Sequence, residues 1–315
     1  MIDDAVLSLY QIPNPPMELV GKGGFGKVFR VFSKLDDRYY AIKRILITEK
    51  TTKGALHEIR ILASIVHPHI IRYFHSWIEA CPIDKEEPHD SDEEEEDDDE
   101  EEYDRLVYQD NYYYFNIKME YCQGTLRNYL VNRTAVHPEE CYYLMTQIID
   151  GIYFLHKSGI IHRDLKPENI LISQYHPIHV KISDFGLAKV FHKDLSLTES
   201  TTYAGSFLYA SPEQYNGEKY SFSTDIYSLG VMLVEIQYLF STNMERIIVL
   251  RDFRTHPHLL DSIHYRELIM EMTHLDPIRR PTIIQMRNVF FDQMLHHPIV
   301  ICRDIVWDIV HHLPI

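Results

Sequence analysis

Eight consecutive residues, His162 to Asn169 (HRDLKPEN), concentrate the side chains that a phosphoryl transfer needs. Asp164 can accept the proton of an attacking hydroxyl, Lys166 can neutralise the transferred group, and Asn169 offers a neutral oxygen to a metal ion. Downstream, Asp184 opens the triplet DFG after a strand-like HVKIS and adds a carboxylate. Together they supply the hard oxygen ligands that suit Mg2+. Near the start, GKGGFGKV (Gly21 to Val28) fits G-x-G-x-x-G-x-V. Glycines there let a hairpin backbone approach phosphates closely enough for its amides to bond the oxygens. Lys43 closes YAIK, and a lysine on an inward-looking strand needs a negative partner. Glu58 on the following segment is the candidate, and a Lys43–Glu58 pair would hold the lysine against a nucleotide's phosphates.

These residues need elements to hold them. Residues 17 to 45 read as three strands: MELVGKGGFGKVFRVF turns on glycines, and KLDDRYYAIKRIL turns on Asp36 and Asp37. Because strands flank it, the glycine pattern does not match the dinucleotide-binding version, in which a helix follows. GALHEIRILASIV switches to helical period, with Leu56, Ile59, Leu62, Ala63 and Val66 as its inward face and Glu58 at the edge of that face. IIRYFHSWIEA and NYYYFNIKMEYC read as further strands. From about 125 the pattern is mostly helical, and CYYLMTQIIDGIYFLHKSG is a long helix ending at Gly159. Strands first and helices afterwards give an α+β chain of two lobes.

Composition narrows the function classes. The 315 residues are 45% hydrophobic, enough for a substantial core. The formal net charge is −16, but the run DSDEEEEDDDEEEYD at 90–104 supplies 13 of the negatives and leaves the rest near −3. The acidity therefore gives no reason to expect nucleic-acid binding. The run has nothing apolar to bury, and it lies between two strand-like segments, so it reads as a disordered insert in a loop, about 82–111. Cys81, Cys122, Cys141 and Cys302 form no CxxC pair, which fits a reducing compartment. The scattered histidines lack metal-ligand spacing. No secretory signal and no run of roughly 20 apolar residues is seen, so neither secretion nor a membrane span is expected.

The glycine loop, Lys43, Glu58, HRDLKPEN, DFG and SPE (Ser211 to Glu213) occur in the order and at distances that resemble a eukaryotic-type protein kinase, from about 17 to 295. The resemblance implies a bilobal fold. A small β-rich N-lobe with one main helix, plus the hinge, would take 17–122, and a larger mostly helical C-lobe 123–295. An extension would cover 1–16 and a tail 296–315. It implies ATP and Mg2+ as cofactors. Gly21, Lys22, Gly23, Gly24, Phe25, Gly26, Val28, Ala41, Lys43 and Glu58 would surround the nucleotide. Met119 would be the gatekeeper, with the backbone of Glu120 and Cys122 facing adenine. Asp164 and Lys166 would be catalytic, and Asn169 and Asp184 would hold metal. Glu213 would pair with Arg280, and Asp225 would cap a helix. Lys166, two places after Asp164, resembles serine/threonine kinases. By family position Thr201, or its neighbour Thr202, is the activation-loop phosphosite, with Arg163 ready to receive the phosphate; Ser206 would shape the substrate shelf.

A narrower resemblance is to kinases of the α subunit of translation initiation factor 2. YLFSTNMERIIVLRDFR (238–254), YFHSWIE and IKMEYCQGTLRNYL carry it, as does a charged insert between the fourth and fifth strands. It implies a cytoplasmic enzyme that lowers translation initiation under stress and could pair through its N-lobe as a homodimer. It also implies docking of the folded α subunit on a helix beginning near Thr242, with Ile248 and Phe253 anchoring it and Asn243, Glu245 and Arg246 facing outward. Two readings stay open beside it: a serine/threonine kinase with another substrate, such as a cell-cycle kinase, and a pseudokinase scaffold.

Overall fold

The computed structural model describes residues 17–23, 26–80, 113–186, 188–190, 208–217 and 219–296. Gly24, Phe25, the acidic run, Thr201, Thr202, Ser206 and the tail beyond 296 lie outside the described residues. The chain divides into two compact units. Residues 72–121 join those up to 65 in the first, and 66–71 join those from 122 onward in the second. This differs from the continuous stretch 17–122 that the sequence suggests for the first lobe.

The first unit is a five-stranded antiparallel sheet with one helix. Strands β1 (Met17–Gly23), β2 (Gly26–Ser33), β3 (Arg38–Leu46), β4 (Tyr73–Ala80) and β5 (Tyr113–Glu120) lie in the order β1-β2-β3-β5-β4. Gly23 faces Gly26 at the β1–β2 turn. Gly26 sits at φ 134, and a Cβ there would come within 2.2 Å of the Arg44 carbonyl oxygen, so only glycine fits. Helix α1 (Glu49–Ser64) starts at a reciprocal cap in which Thr48 and Thr51 each bond the other's backbone amide.

The inward face of α1 differs from the expectation. Ala55, Glu58, Ile61, Leu62 and Ile65 are buried, while Leu56 and Ala63 are exposed and Val66 lies past the helix end. Spacings of three and four from Glu58 trace this stripe. The carboxylate must face Lys43, and it turns the helix about one position from where apolar residues alone would set it.

The second unit is mostly helical. It contains β6 (Gly124–Thr125), α2 (Leu126–Asn132), α3 (Pro138–Lys157), β7 (Ile160–Ile161), β8 (Ile170–Tyr175), β9 (Ile178–Ile182) and β10 (Lys189–Val190). Helices α4 (Pro212–Tyr215), α5 (Ser223–Gln237), α6 (Asn243–Asp252), α7 (Arg266–Met272) and α8 (Ile283–His296) follow. Pro138 starts α3 at a position where a missing N–H costs nothing, and Gly159, at φ 74, follows its end. Leu144, Met145, Ile148, Ile149, Ile152 and Leu155 are fully buried along α3. Helix α5 is buried from Thr224 to Ile236, so it is the centre about which this unit packs.

The strap at 66–71 belongs here because it pairs with β9. Ile182 donates to the His69 carbonyl at 2.9 Å, and Ile71 donates to the Ile182 carbonyl at 2.9 Å. Gly151 lets α3 approach this seam: a Cβ would lie 2.6 Å from Ile182 and 3.1 Å from the His69 carbonyl. The His69 ring packs 4.9 Å from that of His179 and 5.7 Å from that of His67. Burial, with those two imidazoles, lowers its pKa to about 3, so His69 is neutral in the fold.

Candidate functional site

The first unit brings Lys43 and Glu58 together. Lys43 Nζ donates to both carboxylate oxygens at 2.8 and 3.0 Å, and both residues are buried. On β3, Lys43 faces Val28 of the glycine hairpin on one side and Ile117 of β5 on the other. Ala41 lies opposite Met119, and each is less than 10% exposed. These residues form an apolar floor beside a fixed cation, behind a hairpin whose Gly21, Lys22 and Gly23 end β1. Glu120 ends β5; its amide donates to the Arg72 carbonyl at 2.9 Å, and its carboxylate accepts from the Arg72 amide.

In the second unit the catalytic-loop candidates form a closed knot. Lys166 Nζ donates to Asp164 Oδ2 at 2.8 Å. Asn169 Nδ2 donates to Asp164 Oδ2 at 2.9 Å and to its carbonyl at 2.7 Å. One carboxylate oxygen thus meets two donors, and Asp164 is held in one orientation. The loop backbone is unusual: Arg163 has φ 72 and Asp184 φ 64, both left-handed for non-glycine residues. Such conformations persist where neighbours over-determine them.

The neighbours are visible. Asp225, fully buried at the start of α5, accepts from the His162 and Arg163 amides at 2.9 and 2.8 Å. His156 Nε2 donates to the same carboxylate at 2.8 Å. Burial pushes the Asp225 pKa up, but His156 and the amide donors outweigh it and hold the group below its ordinary value. Asp225 therefore anchors the loop at His162 and Arg163 rather than capping a helix; Phe222 sits at the N-cap of α5, which has no side-chain cap bond. The reason is geometric: the carboxylate points to two amides held in line, which form a small anion nest. Gln214 holds the other side, donating to the Arg163 carbonyl at 2.9 Å. The Arg163 guanidinium lies 4.2 Å from the centre of the Tyr220 ring.

The metal-ligand candidates converge through the backbone. Ser183, just before Asp184, donates to the Asn169 carbonyl through both its amide and its hydroxyl, each at 2.9 Å. Phe185, just after, is fully buried, with its ring 5.1 Å from that of His162. With Nδ2 committed to Asp164, Oδ1 is the atom of Asn169 left for a cation. A neutral amide oxygen and one carboxylate on a fixed turn fit a hard divalent ion that keeps water and substrate phosphates in its shell. Among the described residues no cluster of three or more His, Cys, Asp and Glu is placed to hold a metal by itself.

Glu213 and Arg280 pair as the resemblance implied, at 2.6 and 2.8 Å, both buried, with the Thr224 hydroxyl as a third partner. Burial opposes ionisation of Glu213, and Arg280 overcomes it and lowers its pKa. Cys122, half-buried, lies just before β6.

The α6 candidates are not presented as expected. Thr242 caps the helix, and Asn243 is exposed. Glu245 folds back to accept from the Ser241 amide at 2.7 Å, completing that cap. Arg246 turns inward to Tyr209 and Glu235 at 3.2 and 3.5 Å, while its Nε bonds Asn243. Phe253 anchors the helix with Val249 and Leu250, but Ile248 is exposed. The residues α6 does present are Met244 and Ile248, 65% and 43% exposed and one turn apart.

Sequence reasoning missed one cluster. Arg127 of α2 donates to Glu168 at 2.7 Å, to the Tyr209 hydroxyl at 2.6 Å and to Glu235, and Tyr209 also donates to Glu235. Separations of 41 to 108 residues leave no local pattern to read.

The model of the protein kinase domain family matches residues 16–300. The "eIF-2-alpha kinase GCN2" of Arabidopsis thaliana is 33% identical over 75% of this chain and 21% of its own. The "Interferon-induced, double-stranded RNA-activated protein kinase" of Mus musculus is 32% identical over 87% and 51%. The "NUAK family SNF1-like kinase 1" of Homo sapiens is 32% identical over 86% and 37%. The chain thus spans about half of these relatives' length or less. Among the described residues no helix is long and apolar enough to cross a membrane.

Proposed function

The chain belongs to the protein kinase family, and from that premise we propose that it is a serine/threonine kinase. It transfers the γ-phosphate of ATP to a serine of the α subunit of translation initiation factor 2, in the cytoplasm, and so lowers translation initiation under stress. The observation that carries the catalytic part is the knot at Asp164. One of its oxygens is committed to Lys166 and Asn169, which fixes the carboxylate and supports its role in orienting a substrate hydroxyl.

The chain's own residues divide the work. Asp164 orients the hydroxyl and takes its proton. Lys166 offsets charge as the phosphoryl group passes. The glycine hairpin, Lys43 and the Ala41–Met119 floor hold the nucleotide, and Glu58 keeps Lys43 extended. Asn169 Oδ1 and Asp184 would hold a divalent cation, proposed as Mg2+, which when bound neutralises charge on the phosphate oxygens. With Lys43, Asp164, Asn169 and Asp184 all present, a pseudokinase scaffold is the weaker reading. A phosphate on Thr201 or Thr202 would order the activation segment against Arg163.

Two things support the substrate reading: the Arabidopsis thaliana relative is named an eIF-2-alpha kinase, and YLFSTNMERIIVLRDFR around α6 resembles kinases of that subunit. Docking of the folded α subunit is proposed on the exposed Met244–Ile248 face with Asn243, not on Glu245 and Arg246. Pairing of two copies through the first unit is supported by an exposed aromatic pair on its sheet, Phe32 and Tyr39, 5.1 Å apart on facing positions. A second reading, a kinase with another protein substrate, is favoured by the equal identity to the NUAK relative.

The test is phosphorylation of the purified α subunit beside a generic serine peptide, with ATP and Mg2+. The reading expects both to be modified. Met244→Ala/Ile248→Ala should then weaken α-subunit phosphorylation by about 1 kcal/mol or more and spare the peptide. Modification of the peptide alone refutes the substrate; modification of neither refutes the kinase reading.

A further inference from the structure

The Arg127 cluster borders the catalytic loop, yet none of the roles above uses it. Glu168 lies between Pro167 and Asn169 in the loop itself, and Tyr209 lies two residues before Ser211, whose capping partner Gln214 holds the Arg163 carbonyl. A polypeptide with its hydroxyl at Asp164 has flanking residues that must pass close to Glu168. The Arg127 side chain is only 15% exposed, and Glu235 beneath it 1%, whereas Glu168 is 43% exposed. A cluster built only to fasten α2 onto α5 would need Glu235 and Tyr209, but no exposed carboxylate from the catalytic loop.

Two carboxylates and a phenolic oxygen, from Glu168, Glu235 and Tyr209, converge on the planar guanidinium of Arg127. That is the acceptor geometry by which proteins recognise arginine. Burial alone would lower the Arg127 pKa; Glu235, Tyr209 and Glu168 raise it, as expected for a guanidinium that fits its acceptors.

We infer that Arg127 determines specificity by filling, from within the chain, an arginine-binding subsite beside the catalytic loop, so that the enzyme does not select basic residues near the phosphoacceptor. The substrates it suits are hydroxyl-bearing polypeptides without a local basic signal, chosen by contacts elsewhere. This rests on the kinase reading but not on the identity of the protein substrate. Arg246 also reaches Glu235 and Tyr209, so Glu235 keeps a cation when Arg127 is replaced.

The experiment compares peptide libraries with a fixed central serine and Arg or Gln at each flanking position, read as the ratio of kcat/KM for Arg over Gln. In the intact chain the ratio is near one throughout. In Arg127→Met it rises about tenfold or more at one or two positions, and Arg127→Met/Glu168→Gln loses the gain. Methylguanidinium raises the melting temperature of Arg127→Met but not of the intact chain, a readout that needs no catalysis. Should Arg127→Met fail to fold, Glu168→Gln in the intact chain decides: the filled subsite predicts unchanged ratios. A folded Arg127→Met with unchanged ratios overturns the inference. So does an intact chain whose tenfold preference for Arg is lost in Glu168→Gln. Failure to phosphorylate the initiation-factor subunit would count against that substrate alone and leave every ratio readable.

Discussion

Replacing Asp225 by Asn tests whether the catalytic loop is held by a buried carboxylate. The side chain keeps its shape, but one oxygen becomes an NH2 group. At present three donors meet the carboxylate at 2.8 to 2.9 Å: the His162 amide, the Arg163 amide and His156 Nε2. Asn can accept from one amide, or from one amide and His156, and it turns a donor toward the other amide. Losing one or two charge-assisted bonds costs about 1.5–3 kcal/mol each. Relief of the desolvation of a buried charge offsets part of this, leaving about 2–4 kcal/mol. A domain stable by about 5–15 kcal/mol stays folded at 25 °C. The functional effect should be larger than the fold's loss suggests. Arg163 is held at φ 72, a conformation that costs roughly 1–2 kcal/mol, and the amide bonds hold it there. Released, it relaxes and carries Asp164 with it, and a shift of about 1 Å can cost roughly 10²-fold in rate. Urea unfolding should show a lower midpoint with an unchanged slope, and kcat on a generic peptide should fall about 10²-fold. The KM for ATP should stay near its original value, because the glycine hairpin and Lys43 are untouched. The variant should also lose one source of acid sensitivity. Asp225 is held below the ordinary 3.8, so its contribution is present above that pH and disappears as pH falls through its lower folded value. A kcat within threefold of the original, in a protein destabilised by about 2–4 kcal/mol, would refute the idea that Asp225 sets the conformation of Arg163.

Two other perturbations follow from buried charge. Lys43→Met should destabilise by about 3–5 kcal/mol by taking the lysine from the buried Glu58 carboxylate, whereas Lys43→Met/Glu58→Leu should recover most of that in chemical denaturation while phosphotransfer stays lost; recovery of turnover would show that the pair does not serve the nucleotide. His69 has a folded pKa near 3 against an ordinary 6.5. Above pH 6.5 neither state is protonated, and below it the unfolded chain gains a proton the folded chain refuses, although Asp150 partly opposes this. Stability should therefore fall by about 2 kcal/mol from pH 7 to pH 5, and His69→Gln should flatten that slope; a slope unchanged in the variant would place the titration elsewhere.

What could be read in advance depended on distance along the chain. Phosphoryl transfer needs an acceptor for a proton, a cation and hard oxygens within one site, and His162 to Asn169 offers such groups from eight adjacent positions, so residue types alone suggest candidates for those roles. Lys43 and Glu58 were legible for a related reason: one strand and the next helix present them, and the demand for a partner to a buried lysine is strong. The face of α1 does not follow from apolar residues alone, because the most constrained side chain on that face is charged. Asp225 and Arg127 show a different limit. Each carboxylate and guanidinium bonds groups tens of residues away, and a lone Asp or Arg in a sequence does not name its partner. On α6 the two effects meet. Charged residues in the first turn of a helix looked outward by spacing, yet Glu245 is taken by the unsatisfied Ser241 amide and Arg246 by Glu235. Open backbone donors at a helix start and a buried carboxylate nearby both attract such side chains before any partner arrives. Apolar residues have no such local outlet. Met244 and Ile248 are therefore left at the surface, where a docked protein could remove them from water, and selection by docking is consistent with a peptide subsite that the chain fills with its own Arg127.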